Sequence, residues 1–143
     1  MRQETGDSRQ ETKDRPTGRR FRSIKAWQRA DELVALTYEA TRVFPRDEQY
    51  GLTSQMRRAA VSVPANIVEG ASRRSRQEYL QFLSVAKASL NELSYYIHLA
   101  GRLKYLHGTV LEQLDSACEE TARVLYGLMQ SVSREIHDGA MRG

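Results

Sequence analysis

QMRRAAVSVPANIVEGASRRSRQEY, residues Gln55 to Tyr79, keeps a helical apolar phase straight through a proline. Leu52, just before it, Met56, Ala59, Ala60, Val63 and Ile67 recur at the steps of three and four that line one helix face. Pro64 stands among them. A proline inside a helix removes an amide donor and drives its ring against the carbonyl four residues back, costing roughly 3 kcal/mol. A restart with Pro64 in a first turn would avoid that cost. The apolar phase does not slip, however, so one continuous helix kinked at Pro64 is expected. Contacts on both sides would hold the kink, with Ser62 or Asn66 serving the freed carbonyls.

Outward from this stretch, helical periodicity begins after Ser23 and lasts to about Ile136. It breaks only near Pro45, between Gly70 and Ser75, and between His107 and Thr109. Four helices follow. Ser75 to Glu78 and Thr109 to Glu112 have the capping-box form, in which a hydroxyl serves an orphan amide and a glutamate reaches back. Ser23 and Asp47 are expected to cap the first and second helices, and Gly70 and Gly108 to supply left-handed residues at helix ends. The expected core stripes are Trp27, Ala30, Val34, Tyr38 and Thr41 on the first helix and the residues above on the second. On the third they are Tyr79, Phe82, Leu83, Ala86, Leu90, Leu93, Ile97 and Ala100, and on the fourth Leu114, Cys118, Thr121, Leu125, Leu128, Val132 and Ile136. Short connections make neighbours antiparallel. The expected fold is therefore all-α, an antiparallel up-down-up-down four-helix bundle with a proline-kinked second helix. It should span residues 23–138, between a flexible polar tail at 1–22 and a short C-terminal tail at 139–143.

At 143 residues and 40% hydrophobic, the chain suits one small domain with one core. Its apolar runs fall far short of the ~20 residues needed to cross a bilayer. The opening MRQETGDSRQETKDRP is charged where a signal peptide needs an apolar core, so a cytoplasmic protein is expected. Cys118 is the single cysteine, which excludes an internal disulfide and a multi-thiolate metal site and reads as a small core residue.

Two helices carry more apolar surface than one bundle uses. Val61, Ala65 and Val68 lie opposite the stripe of the second helix, and Ala88, Tyr95, Leu99 and Leu106 opposite that of the third. Scattered surface aliphatics are common in monomers, but these residues recur at spacings of four and seven on consecutive helices. A self-association surface is expected there. The fourth helix instead carries Asp115, Glu119, Glu120 and Arg123 outward.

No nucleotide loop, Ser-His-Asp order, HExxH, CxxC or Glu-x-x-His pattern occurs, so no catalytic residue, metal or cofactor is expected and the chain reads as a non-enzyme. His98, His107 and His137 lie near helix ends, and Glu69 is placed to pair with Arg58 or Arg73. Charge is unevenly distributed. Arg15, Arg19, Arg20, Arg22 and Lys25 have no acid between them, and Arg57, Arg58, Arg73, Arg74 and Arg76 share their stretch with Glu69 alone. Such clusters suit the phosphates of RNA or DNA. They also suit solvation of helix ends or pairing with the acidic fourth helix of a neighbouring subunit. With no helix-turn-helix spacing or RNA-binding aromatic signature, binding would follow backbone and shape more than base identity. Arg73, Arg74 and Arg76, extended by Arg19, Arg20, Arg22 and Lys25, form the first candidate site; Arg57 and Arg58 form the second. The competing function is an assembly or adaptor scaffold whose partner is a protein.

The runs KAWQRADELVALTYEATRVFP, YGLTSQMRRAAVSVPANIVEGASRRSRQEYLQFL and AKASLNELSYYIHLAGRLKYL resemble the bacterial four-helix-bundle proteins encoded in intervening sequences of 23S ribosomal RNA genes. The resemblance covers Phe21 to Leu106. It departs at Ala88, where the family has a glycine, and in the tail before Phe21. It implies antiparallel bundles assembled as homopentamers. It also implies a fold similar to the accessory variability protein of diversity-generating retroelements, a basic pentameric barrel that binds a reverse transcriptase and nucleic acid.

Overall fold

The computed structural model describes residues 20–142. Most of the tail expected at residues 1–22, with Arg19 in it, lies outside the described residues. Four α-helices make up the chain: α1 (Lys25–Thr41), α2 (Leu52–Ala71), α3 (Arg76–Arg102) and α4 (Gly108–Arg142). Short 3-10 turns occupy Arg20–Ser23 and Arg46–Glu48, and there is no strand among the described residues. Each helix packs on its two neighbours in the cycle α1, α2, α3, α4, with no close backbone approach across either diagonal, as in a helical bundle. The helix α4 runs on past Asp138, where a tail was expected to begin, to Arg142.

The stripe expected on α2 is buried throughout, and α2 is continuous across Pro64, itself buried. The expected stripe of α3 is buried except for Phe82, which is half-exposed. Ser62 and Ser89 hydroxyls meet at 2.7 Å between these two helices. Asn66 does not serve the carbonyl that Pro64 frees at Ala60. Its Nδ2 donates to the Ser62 carbonyl at 2.8 Å and to the Ser62 hydroxyl.

On α1 the buried face is Ala26, Ala30, Leu33, Thr37, Ala40 and Thr41, a rotation of the expected stripe. Small residues and threonines fill it because Thr37 Oγ1 donates to the Leu33 carbonyl at 2.7 Å and Thr41 Oγ1 to that of Thr37 at 2.8 Å, leaving no unpaired hydroxyl. The bulky Trp27, Val34 and Tyr38 lie at its margin, with Trp27 edge-on to Phe21.

Several helix ends differ from expectation. Ser23 does not cap α1; its hydroxyl donates to the Arg20 carbonyl, and α1 begins after Ile24 with no side-chain cap. Asp47 does not cap α2. Glu48, one residue on, accepts from the Leu52 amide at 3.0 Å and from the Tyr105 hydroxyl at 2.9 Å. Those two bonds, the amide first, hold the Glu48 carboxyl below the usual glutamate range. Ser75 does cap α3, accepting from the Glu78 amide at 3.0 Å. Thr109 falls inside α4, which opens one residue earlier at Gly108. Gly108 has φ +60°, but the left-handed residue that closes α3 is Lys104, with φ 65°. Gly70 is not left-handed. It lies buried inside α2, where its missing side chain lets α3 approach. Leu106, expected on an outer face, is core.

Candidate functional site

The arginines divide between the two ends of α2. Fourteen residues of helix, about 21 Å at 1.5 Å per residue, run from Arg57 to the end of α2 at Ala71, and Arg73 follows just beyond it. At the far end α2 stops, Ser75 caps α3, and the Arg20–Ser23 turn packs against α2. A hollow of about 260 Å³ forms there, lined by Arg20 and Arg76 with Phe21, Val68, Ser72 and Tyr79. Residues far apart in sequence are thus drawn to one place. Arg73 is held to Glu69 at 2.7 Å with its guanidinium 4.7 Å from the Phe82 ring centre. Arg76 lies 5.0 Å from the Tyr79 ring centre and reaches Glu135 of α4 at only 3.7 Å. Burial pushes the Tyr79 phenol above the usual tyrosine range. Arg74 is exposed and makes no ion pair among the described residues. Arg22 and Lys25 are exposed at this same end.

Arg57 and Arg58 are engaged within the subunit. Arg57 Nε donates to Thr41 Oγ1 at 2.8 Å, and its guanidinium lies 4.6 Å from the Tyr38 ring centre, so it fastens α2 to the end of α1. Arg58 pairs with Glu92 of α3 at 2.6 Å and not with Glu69. Tyr96 donates its hydroxyl to the same Glu92 oxygen. The Tyr96 hydrogen bond, then Arg58, holds the Glu92 carboxyl below its usual range; the bond to Glu92 raises Arg58 and Tyr96 in turn.

Apolar side chains remain on the outer sides of α2 and α3, with Val61 and Val68 on the flank of α2 that carries Arg57 and turns toward α1. Val61 is 41% exposed and Tyr95 58%, with Ala65 and Ala88 also exposed and Val68 and Leu99 half-buried. Leu99 packs partly against the core. Val85, 49% exposed, belongs to the outer side of α3 and was missed. Its signal was present, since 85, 88, 95 and 99 continue the spacing of three, seven and four.

Cys118 is buried, and burial first, with Asp115 beside it, pushes its thiol up to about 11. Among the described residues no three His, Cys, Asp or Glu side chains cluster as metal ligands would, and no helix is long and apolar enough to cross a membrane.

A family model described as 23S rRNA-intervening sequence protein matches residues 22–127. Among solved structures, the chain resembles a protein of unknown function from the S23 ribosomal protein family of Bacteroides thetaiotaomicron. The TM-score is 0.67 at 20% identity, over 73% of this chain and 95% of that one. No curated protein matches the chain.

Proposed function

The chain belongs to the 23S rRNA-intervening sequence protein family, and from that premise we propose that it is a non-catalytic, cytoplasmic homo-oligomer that binds nucleic acid through one basic end. The observation that carries this reading is the hollow lined by both Arg20 and Arg76, beside Arg73 and Arg74, the last without an ion pair among the described residues. Symmetric assembly repeats each basic end around an axis, turning a few arginines per chain into a continuous positive rim. A pentamer is the subunit count the family resemblance favours. Binding is to phosphates and shape, with weak sequence preference. A gel shift with structured RNA and duplex DNA at low and raised salt tests it: a shift that weakens steeply with salt is expected. Absence of any shift at low salt overturns it, leaving the protein-binding scaffold.

The association surface is built from the outer apolar sides of α2 and α3. Val61→Glu places a charge with no partner on the exposed apolar side of α2, which costs several kcal/mol on burial. Light scattering is expected to fall to the 16.4 kDa of one chain. A wild-type protein already monomeric at micromolar concentration sinks the association reading.

The bundle runs up-down-up-down, which the order of contacts supports. Along α2, Arg58, Ser62 and Gly70 meet Glu92, Ser89 and Phe82 of α3, the numbers rising on one helix as they fall on the other. Along α3, Arg76 and Leu90 meet Glu135 and Cys118 of α4, and Gly101 faces Leu111. A kink at Pro64 sets the angle of the association face, which the continuity of α2 through a buried proline supports. Pro64→Ala is therefore expected to weaken assembly even while local helicity rises. Unchanged assembly by light scattering, with unchanged helix content, removes the kink from the mechanism.

A further inference from the structure

The hollow at the basic end has two kinds of wall. Arg20 and Arg76 line it, and so do the apolar side chains of Phe21, Ile24, Val68 and Ala71, brought together from the turn before α1 and the last turn of α2. A hydrated phosphate gains nothing from apolar walls, so charge alone does not account for them. A flat ring with polar edges would use both. At about 260 Å³ the hollow falls just short of the ~300 Å³ at which sites for drug-sized ligands begin, which suits a group the size of one nucleobase. We propose that it takes one unpaired base of a single-stranded RNA or DNA, while Arg20, Arg73, Arg74 and Arg76 hold the phosphates that flank it.

Three side chains are suited to that base. Phe21 stands edge-on to Trp27 with ring centres 4.9 Å apart, a contact that steadies the ring while it lines the hollow. Arg76 adds a guanidinium, a plane on which bases also stack, and its contact to Glu135 is a long 3.7 Å. Tyr79 is the third. It is 5% exposed and lines the hollow, and its hydroxyl bonds to nothing among the described residues. No fully buried side-chain oxygen or nitrogen among them lacks a partner, so this hydroxyl still reaches the surface. A base edge carrying an acceptor would supply its partner. Bases inside a duplex are stacked and paired, so a duplex offers the hollow only its backbone. Stacking accepts any base, which keeps sequence preference weak.

This inference rests on the polyanion reading and adds what lies between the phosphates. Charge alone predicts equal affinity for a strand with bases and for a strand of equal length whose sugars carry none; the hollow predicts a difference. Gel-shift titration at one low salt concentration, with both strands made once as RNA and once as DNA, is expected to show about tenfold tighter binding of the base-bearing strand on at least one backbone. Trp27, the single tryptophan, stands against Phe21, so its emission should change with that strand and not with the abasic one. Ala71→Phe fills the hollow without altering charge: affinity for the base-bearing strand should fall to the abasic level, with abasic affinity and salt slope unchanged. Equal affinity of the wild type for the two strands overturns the base site and leaves the polyanion site standing; no binding of either strand at low salt removes both. Should Ala71→Phe unfold or dissociate the protein, Tyr79→Phe decides, since it keeps the ring and drops only the hydroxyl. A loss of about two- to tenfold confined to the base-bearing strand is expected, whereas no loss, or equal loss on both strands, refutes the assignment.

Discussion

Gly70→Ala is expected to destabilise the protein by about 2 kcal/mol, whereas Gly127→Ala stabilises it by up to about 1 kcal/mol, although both glycines lie within helices without left-handed backbone. Alanine is the better helix former, so intrinsic propensity favours both changes equally. Surroundings reverse the sign at Gly70. A Cβ there would stand 2.8 Å from Phe82 Cβ, 2.9 Å from Tyr79 Cδ1 and 3.1 Å from the Tyr79 carbonyl oxygen. The first and last of these belong to the α3 frame and cannot swing aside, so α2 and α3 must part where they pack. Around Gly127 nothing lies within 4 Å. Thermal or urea unfolding at one fixed protein concentration reads the difference, since association would otherwise shift the midpoint. Equal effects at the two sites would show that the close approach at Gly70 does not constrain the fold. Tyr79 and Phe82 are also the rings beneath Arg76 and Arg73, so the packing defect should displace the basic end as well.

Gly70 illustrates what was legible in the sequence. It was expected as a left-handed residue closing α2, whereas its reason for being glycine is a contact with another helix, which periodicity does not carry. The apolar stripes of α2 and α3 were legible because their apolar residues recur at unbroken steps of three and four. The face of α1 was not, because Trp27 and Tyr38 are large and lie at the margin while Ala26, Thr37 and Ala40 are small and lie inside. Size outweighed phase in the reading, and burial of threonine depends on bonds to the preceding turn. Helix starts followed the same division. Ser75 acts locally and was found; Glu48 works partly through Tyr105, fifty-seven residues away, and was not. The arginines were legible as two groups. Their partners across helices, Arg58 with Glu92 and Arg76 with Glu135, were not, because each acid stands on a different helix from its arginine.

Replacing Arg73, Arg74 and Arg76 together by glutamine is expected to weaken nucleic-acid binding at low salt by orders of magnitude and to flatten its salt dependence. Each phosphate neutralised contributes about 0.7 to 0.9 to the slope of log K against log salt, so three lost contacts remove about 2 to 3 from that slope. The three positions differ in what else they lose. Arg73 gives up its pair with Glu69 and its place over Phe82; Arg76 gives up the longer contact to Glu135 and its place over Tyr79. Exposed pairs of this kind contribute about 0 to 1 kcal/mol each, so the triple variant should stay folded and assembled, as circular dichroism and light scattering would show. Arg74 has no ion pair among the described residues, and Arg74→Gln alone should flatten the slope by about 1 with unfolding unchanged. Glu69→Gln works in the opposite direction: it releases the Arg73 guanidinium and removes a negative charge from the site, so binding should tighten. Arg57→Gln, by contrast, breaks the fastening to Thr41 and Tyr38, and should lower stability more than affinity. A triple variant that binds as tightly and with the same salt slope as wild type would place the polyanion site elsewhere on the bundle. Binding lost together with assembly would instead show that the ring, and not the three side chains, supplies the field.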